Sequence, residues 1–225
     1  VIAVDRALGK VTVASSGLGG SAATPSGWTA ADFLLIQGDV NLKPKGLAAW
    51  LPTTAPTGGD NFFGVDRSVD SVRLAGVRYD GSAQSIEEAM IDATALVARE
   101  GGKVGKGITN FASYSALEKA LGSKVQYVNA KGPADIAFRG MSVNGANSVV
   151  DIFPDRNCQA ARMYMLQMDT WRLMSLGDCP QILKYGDGLE MLRVSNADAG
   201  ELRVGAYYQL SCAAPGWNAV VSLSA

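Results

Sequence analysis

The sequence predicts an α+β fold. Three observations carry that expectation: one amphipathic stretch with a clear start and stop between Ser85 and Gly102, short β-branched runs on both sides of it, and an apolar/polar alternation from Leu202 to Cys212. In chain order, residues 1–52 read as β-rich. Val1-Ile2-Ala3-Val4 and Lys10-Val11-Thr12-Val13 are short strand-like runs with Leu8-Gly9 as a turn between them. Ser15 to Gly27 is rich in Ser, Gly and Ala, carries Pro25, and reads as a loop. Asp32 to Gln37 gives a further strand closed by Gly38-Asp39, and Pro52 to Asp60 reads as a linker with two prolines and a Gly-Gly pair.

The stretch from Ser85 to Glu100 predicts the main helix. Ser85-Ile86-Glu87-Glu88 is a capping box, in which the serine hydroxyl meets the Glu88 amide and the carboxylate reaches back. Ile86, Ala89, Met90, Ala93, Leu96 and Val97 recur at helical spacing, and Gly101-Gly102 supplies the left-handed stop. A helix of about fifteen residues is about 22 Å long. Beyond it, Ile108-Thr109-Asn110 reads as a strand and Ser113 to Leu121 as a second helix stopped by Gly122. Val125 to Val128 and Val149 to Ile152 read as strands, with Gly140 and Gly145 marking turns between them. Met163 to Met174 fits strand or helix equally well. The alternating stretch from Leu202 to Cys212 predicts one strand of roughly 35 Å, with Pro215-Gly216 turning it back into Asn218 to Leu223 as a C-terminal hairpin.

Composition narrows the function. Among 225 residues there are 20 Lys plus Arg against 21 Asp plus Glu, a net charge of −1, which excludes a polybasic nucleic-acid arm and an acidic tail. Charged residues make up 18% of the chain, against roughly 25% in an average soluble domain, so part of the surface is expected to lie in permanent contacts. The chain has no His. That removes Ser-His-Asp and Cys-His catalysis and most zinc sites. Cys158, Cys179 and Cys212 form no C-x-x-C pair and read as apolar thiols of a reducing compartment. No apolar run is long enough to span a membrane. The start at Val1 shows neither an initiator Met nor a secretory pattern, so the chain is expected to be processed or part of a longer product.

Candidate chemistry finds little support. Gly17-Leu18-Gly19-Gly20 lacks the third glycine and the Lys-Ser/Thr pair of a phosphate loop. Gly140-Met141-Ser142-Val143-Asn144 approaches a nucleophile elbow around Ser142, but Asn144 replaces the last Gly and no His can act as base. Asp60, Asp66 and Asp70 gather near Arg67, and paired carboxylates can hydrolyse glycosides. With only 8% aromatic residues, the better reading of Asp66-Arg67 is a fixing ion pair or a subunit contact. The Met163–Met174 tract reads as adaptable packing, and Lys103 with Lys106 forms a single small basic loop among glycines. No catalytic, cofactor-binding or metal-binding residue is assigned.

One ordered series of signatures remains. Gly46-Leu47-Ala48-Ala49-Trp50-Leu51-Pro52 leads through Asp60-Asn61-Phe62-Phe63-Gly64-Val65-Asp66-Arg67-Ser68 to the capped helix. Ile108-Thr109-Asn110, the helix bearing Tyr114 and Leu117, the stretch Leu189 to Arg193 and Glu201-Leu202-Arg203-Val204 follow. This succession resembles the major capsid proteins of tailed bacteriophages, which share the Hong Kong 97-type fold. The resemblance implies a β-rich extended loop or insertion at 1–52 and a peripheral domain at 53–107 with its spine helix at 85–100. It implies an axial domain at 108–198 and a peripheral-domain hairpin at 199–225. It further implies assembly through pentamers and hexamers into an icosahedral virion head around double-stranded DNA, built in the host cytoplasm and without enzymatic activity or cofactor. The partners implied are the chain itself, scaffold, portal or decoration proteins, and DNA contacted non-specifically, with no membrane. Lys10, Lys43 and Lys45 lie in the segment from which such a shell draws covalent cross-links, and none is assigned to one.

The residues agree with a shell role independently. Broad interfaces that close rings favour low charge, no acid-base group is required, and the glycines from Gly101 to Gly107 provide a hinge. Two other readings stay open: a His-free hydrolase using Ser142 with a Lys or the Asp60/Asp66 carboxylates, and another virion component such as a decoration or tail protein.

Overall fold

The computed structural model describes residues 3–5, 10–14, 21, 43–121, 126–129, 139–184, 191–194, 196 and 198–224. The chain divides into two compact units, Val1–Lys43 and Pro44–Ala225. In the first, β1 (Ala3–Asp5) pairs antiparallel with β2 (Lys10–Thr12), placing Val4 opposite Val11. The expected turn at Leu8-Gly9, the strand at Asp32–Gln37, and the Ser15–Gly27 loop apart from Ser21 lie outside the described residues.

The second unit is mixed α+β. After α1 (Leu47–Trp50) and the short hairpin β3 (Asn61–Phe62) and β4 (Val65–Asp66) come β5 (Val77–Gly81), α2 (Ile86–Arg99), β6 (Lys106–Thr109) and α3 (Phe111–Leu121). Next are β7 (Gln126–Asn129), β8 (Arg139–Asn144), β9 (Val149–Pro154) and β10 (Arg162–Leu166). A ribbon of six short strands follows: β11 (Trp171–Ser175), β12 (Gln181–Ile182), β13 (Met191–Arg193), β14 (Gly200–Leu202), β15 (Val204–Gly205) and β16 (Tyr208–Cys212). The last strand is β17 (Ala219–Leu223).

Seven strands form one sheet in the order β5-β17-β10-β6-β9-β8-β7. The β5/β17 and β6/β9 pairs are parallel and the other pairs antiparallel. Strands from the stretches 53–107, 108–198 and 199–225 therefore share a single sheet. Side-chain alternation gives it two faces. Met163 and Met165 of β10, Ala219 and Val221 of β17, Met141 and Val143 of β8 and Val150 and Ile152 of β9 point to one face. There they meet Ile86, Ala89, Met90, Ala93 and Val97 of α2 and Leu117 of α3. Tyr164, Leu166 and Val220 point to the other face and pack with Leu47, Trp50, Leu51 and Trp171. Both faces of β10 are covered, which explains the unbroken apolar run that left Met163–Leu166 ambiguous in sequence.

Helix α2 follows its sequence signals closely. Ser85 caps it with both arms of the capping box formed, and Gly101 takes a φ of 88° past its end. At Gly102 a Cβ would lie 2.6 Å from Val97 Cγ1 and 2.8 Å from Trp217 Cα, so only glycine lets the chain pass this close to Val97 and the Trp217 main chain.

The C-terminal hairpin expected from Leu202–Cys212 and Asn218–Leu223 does not form. Residues 208–212 pair with 171–175, 204–205 with 181–182, and 200–202 with 191–193. β17 runs instead between β5 and β10. The physical reason is burial: Ala219, Val220, Val221 and Leu223 are all buried and need cover on both faces, which the thin ribbon cannot supply. The expected single long strand is also broken, at Arg203 and at Ala206-Tyr207. Gly140 lies inside β8 rather than at a turn, whereas Gly145 does close one by donating to Ser148 O. Leu47–Trp50, within the stretch read as β-rich, is one helical turn.

Candidate functional site

The described residues concentrate exposed apolar side chains on the ribbon. Leu173 is 67% exposed, Leu176 76% and Val204 63%, and Met174, Ile182, Met191, Leu202, Tyr207 and Tyr208 are exposed as well. Cross-strand pairs place Leu173 beside Leu210, Ile182 beside Val204 and Met191 beside Leu202. A two-stranded ribbon is at best marginally stable alone in water. Here its base is fastened by polar contacts that no sequence signal announced.

The fastening centres on Asn218, which is fully buried. Its Oδ1 accepts from Trp171 Nε1 and from the Gln167 amide, each at 2.8 Å. Its Nδ2 donates to Ala214 O at 2.9 Å and to Thr170 Oγ1 at 3.1 Å. A second clamp holds the outer edge of β16. The Lys45 amide donates to Gln209 Oε1 at 3.0 Å, Gln209 Nε2 donates back to Lys45 O at 2.9 Å, and Trp50 Nε1 donates to Leu210 O at 2.9 Å. The residues Lys45–Trp50 thus act as a strap along β16.

Trp50 links the strap to the β3–β4 hairpin. Its ring meets Phe62 edge-on at 4.9 Å, Phe63 at 5.7 Å and Trp171 at 6.3 Å between centroids. Phe63-Gly64 forms the tight turn with φ values of 52° and 83°, and this leaves the Phe63 ring exposed. Arg67 is buried beneath it, stacked over Phe62 at 4.2 Å.

The carboxylates near Arg67 each have another task. Arg67 pairs with Asp60, not with Asp66 as its neighbour in sequence suggested: Nη2 and Nε lie 2.8 and 3.1 Å from Asp60 Oδ2, and Nη1 donates to Ala49 O at 2.7 Å. Asp66 is turned to Ser68 downstream, while Asp60 and Arg67 lie across the hairpin base, where the Arg67 amide donates to Asp60 O at 3.2 Å. Asp66 accepts from the Ser68 hydroxyl and amide, and these bonds hold its carboxyl below the usual carboxylate range. Asp70 accepts from the Val72 and Arg73 amides.

Ser142 donates to Asp151 Oδ1 at 2.5 Å, and Lys106 stands opposite Asp151 on the next strand, so Ser142, Asp151 and Lys106 form one row across the sheet. The Lys106 ammonium lies over the Phe153 ring at 5.6 Å. The structure does not bring Ser142 into hydrogen-bond contact with a lysine among the described residues.

Three shallow cavities of about 310, 310 and 390 Å³ lie beside Trp217, Tyr164 and Phe63 respectively, and Ser142 lines none of them. Among the described residues no group of three or more His, Cys, Asp or Glu is placed to hold a metal ion, and no helix is long and apolar enough to cross a membrane. The methionine tract divides: Met163 and Met165 are core, while Met168 and Met174 are exposed. No protein-family model matches this chain, and no curated protein shows significant similarity to it.

Proposed function

We propose that the chain is a self-assembling structural subunit, a major capsid protein of the Hong Kong 97 type that builds an icosahedral virion head around double-stranded DNA through pentamers and hexamers. In this reading α2 is the spine helix of the peripheral domain, and scaffold, portal and decoration proteins are further partners. One observation supports it above the others: the ribbon presents apolar side chains to solvent along its length. The largest apolar patch on a typical monomer is about 300–600 Å², and nine exposed large apolar side chains among the described residues of one ribbon call for burial against another surface. The ordered sequence signatures, the low charge and the absence of His agree with a role in contact rather than chemistry.

Electron microscopy and light scattering of the full-length expressed protein, with and without co-expressed scaffold, test the reading. Closed shells or ring-shaped oligomers are the expected result. Replacing Leu176 and Val204 by Asp should leave the fold intact and shift the population to single subunits. A protein that stays monomeric in every condition overturns the proposal.

A further inference from the structure

The hydrogen-bond phase of the ribbon exposes one edge of β11. Leu176 N donates to Tyr207 O at 2.9 Å and Ala213 N to Thr170 O at 2.8 Å, which fixes residues 170, 172, 174 and 176 as those whose main-chain groups face β16. The main-chain groups of Trp171, Leu173 and Ser175 therefore point away from it. The Trp171 amide is already satisfied by Met168 O. The strap occupies the outer edge of β16, but no strand pairs with the outer edge of β11 among the described residues. Leu173, Met174 and Ser175 are exposed there. An open edge of this kind is a template for another strand.

We infer that two copies of this chain join edge to edge along β11, antiparallel, about a twofold axis through Leu173. The edge is complementary to itself under that rotation. Leu173 of each copy exchanges both main-chain hydrogen bonds with Leu173 of the other. Ser175 N–H meets the second copy's Trp171 C=O, and the Trp171 amide needs no partner. Directly opposite side chains are then Leu173 with Leu173, and Arg172 with Met174, so no like charges face each other. A twofold contact is closed, which gives a defined pair instead of an open fibre. The product is a four-stranded sheet, β16-β11-β11-β16, whose added width buries part of the apolar surface that each ribbon leaves bare. The place of this pair within a shell rests on the proposed function, whereas the pairing itself does not.

Site-directed cross-linking tests it in a background carrying Cys179→Ser, since Cys179 is the exposed native thiol. Facing residues of a hydrogen-bonded antiparallel pair lie about 5.5 Å apart at Cα, within the span of a disulfide. Leu173→Cys should therefore form a disulfide-linked dimer under mild oxidation, at least about tenfold more than Arg172→Cys or Met174→Cys. Leu173→Pro removes an outward amide without touching the β11–β16 ladder, and it should abolish the edge-to-edge dimer while circular dichroism stays native. Equal cross-linking at all three positions, or an unchanged edge-to-edge dimer in Leu173→Pro, overturns the inference. Shells that form without the Leu173 cross-link would reject the pairing and leave the shell reading standing. Linked dimers that never build shells would do the reverse.

Discussion

Trp171 and Asn218 are joined side chain to side chain by a 2.8 Å hydrogen bond between the indole N–H and the buried amide oxygen. That bond ties the first residue of the ribbon to the residue that opens the last sheet strand. The ribbon's direction is therefore set by the core and not by its own turns. Asn218→Ala leaves the Trp171 indole and Gln167 amide donors without their acceptor, while Ala214 O keeps the Trp217 amide. A buried group left unsatisfied costs about 1–3 kcal/mol, so the variant should lose at least about 2 kcal/mol in urea unfolding. Asn218→Asp keeps both acceptor bonds but cannot donate to Ala214 O, and it should be destabilised as well. Wild-type stability in both variants would remove Asn218 from this role.

Arg67 is the second anchor, and its geometry depends on the guanidinium fork. It bonds Asp60 and Ala49 O at once while lying over Phe62. Lysine offers a single charged centre and cannot reproduce that set. Arg67→Lys should cost about 1–2 kcal/mol, and Arg67→Ala somewhat more, below the roughly 3–5 kcal/mol for breaking a fully buried pair, because the Asp60 side chain remains 34% exposed. Near-ultraviolet circular dichroism of the Trp50–Phe62 cluster should weaken in parallel. A lysine variant identical to wild type in both measurements would refute the fork argument.

The strap predicts a protease pattern. Lys45 is exposed but its main chain is held on both sides by Gln209. Gln209→Ala frees it, and trypsin should cut after Lys45 several-fold faster than in the wild type. Lys43 precedes Pro44 and should stay resistant in both. Equal cutting rates at Lys45 would show that Trp50 alone holds the strap.

The thiols predict an order of labelling and a pH dependence. Burial pushes the Cys158 and Cys212 thiols above their ordinary range, and Cys179 is exposed. A thiol reagent should modify Cys179 in the native protein, Cys158 slowly, and Cys212 only on unfolding. The raised values mean that the folded state keeps these protons while the unfolded state releases them. Stability from this source is complete below the ordinary thiol value of about 8.5, and it is lost as pH rises from there through the raised folded values. The alkaline loss should be smaller in Cys212→Ala, and an unchanged slope would contradict burial as the cause.

Helix α2 was legible because its signals are local: Ser85 and Glu88 cap each other within one turn, and Gly101 ends the helix within two residues. The alternation from Leu202 to Cys212 likewise announced extended chain. It could not announce the partner, because Tyr208 finds Ser175 thirty-odd residues upstream while the nearer Asn218–Leu223 segment is drawn into the sheet. Proximity in sequence also misled at Arg67, whose adjacent Asp66 points elsewhere. The anchoring roles of Asn218, Gln209 and Trp50 carried no sequence signal, since each depends on a contact more than forty positions away.

The sequence by itself determined the α+β class, the ends of the principal helix, some strand positions such as β6, β9 and β17, and a composition unsuited to histidine-based chemistry. Tertiary structure alone decided which strands lie side by side, which carboxylate holds Arg67, and which apolar side chains remain in water. Backbone preference and capping act over a few residues, so they are written locally. Strand pairing is a competition among distant segments for cover on two faces, and it is settled only when the whole sheet assembles.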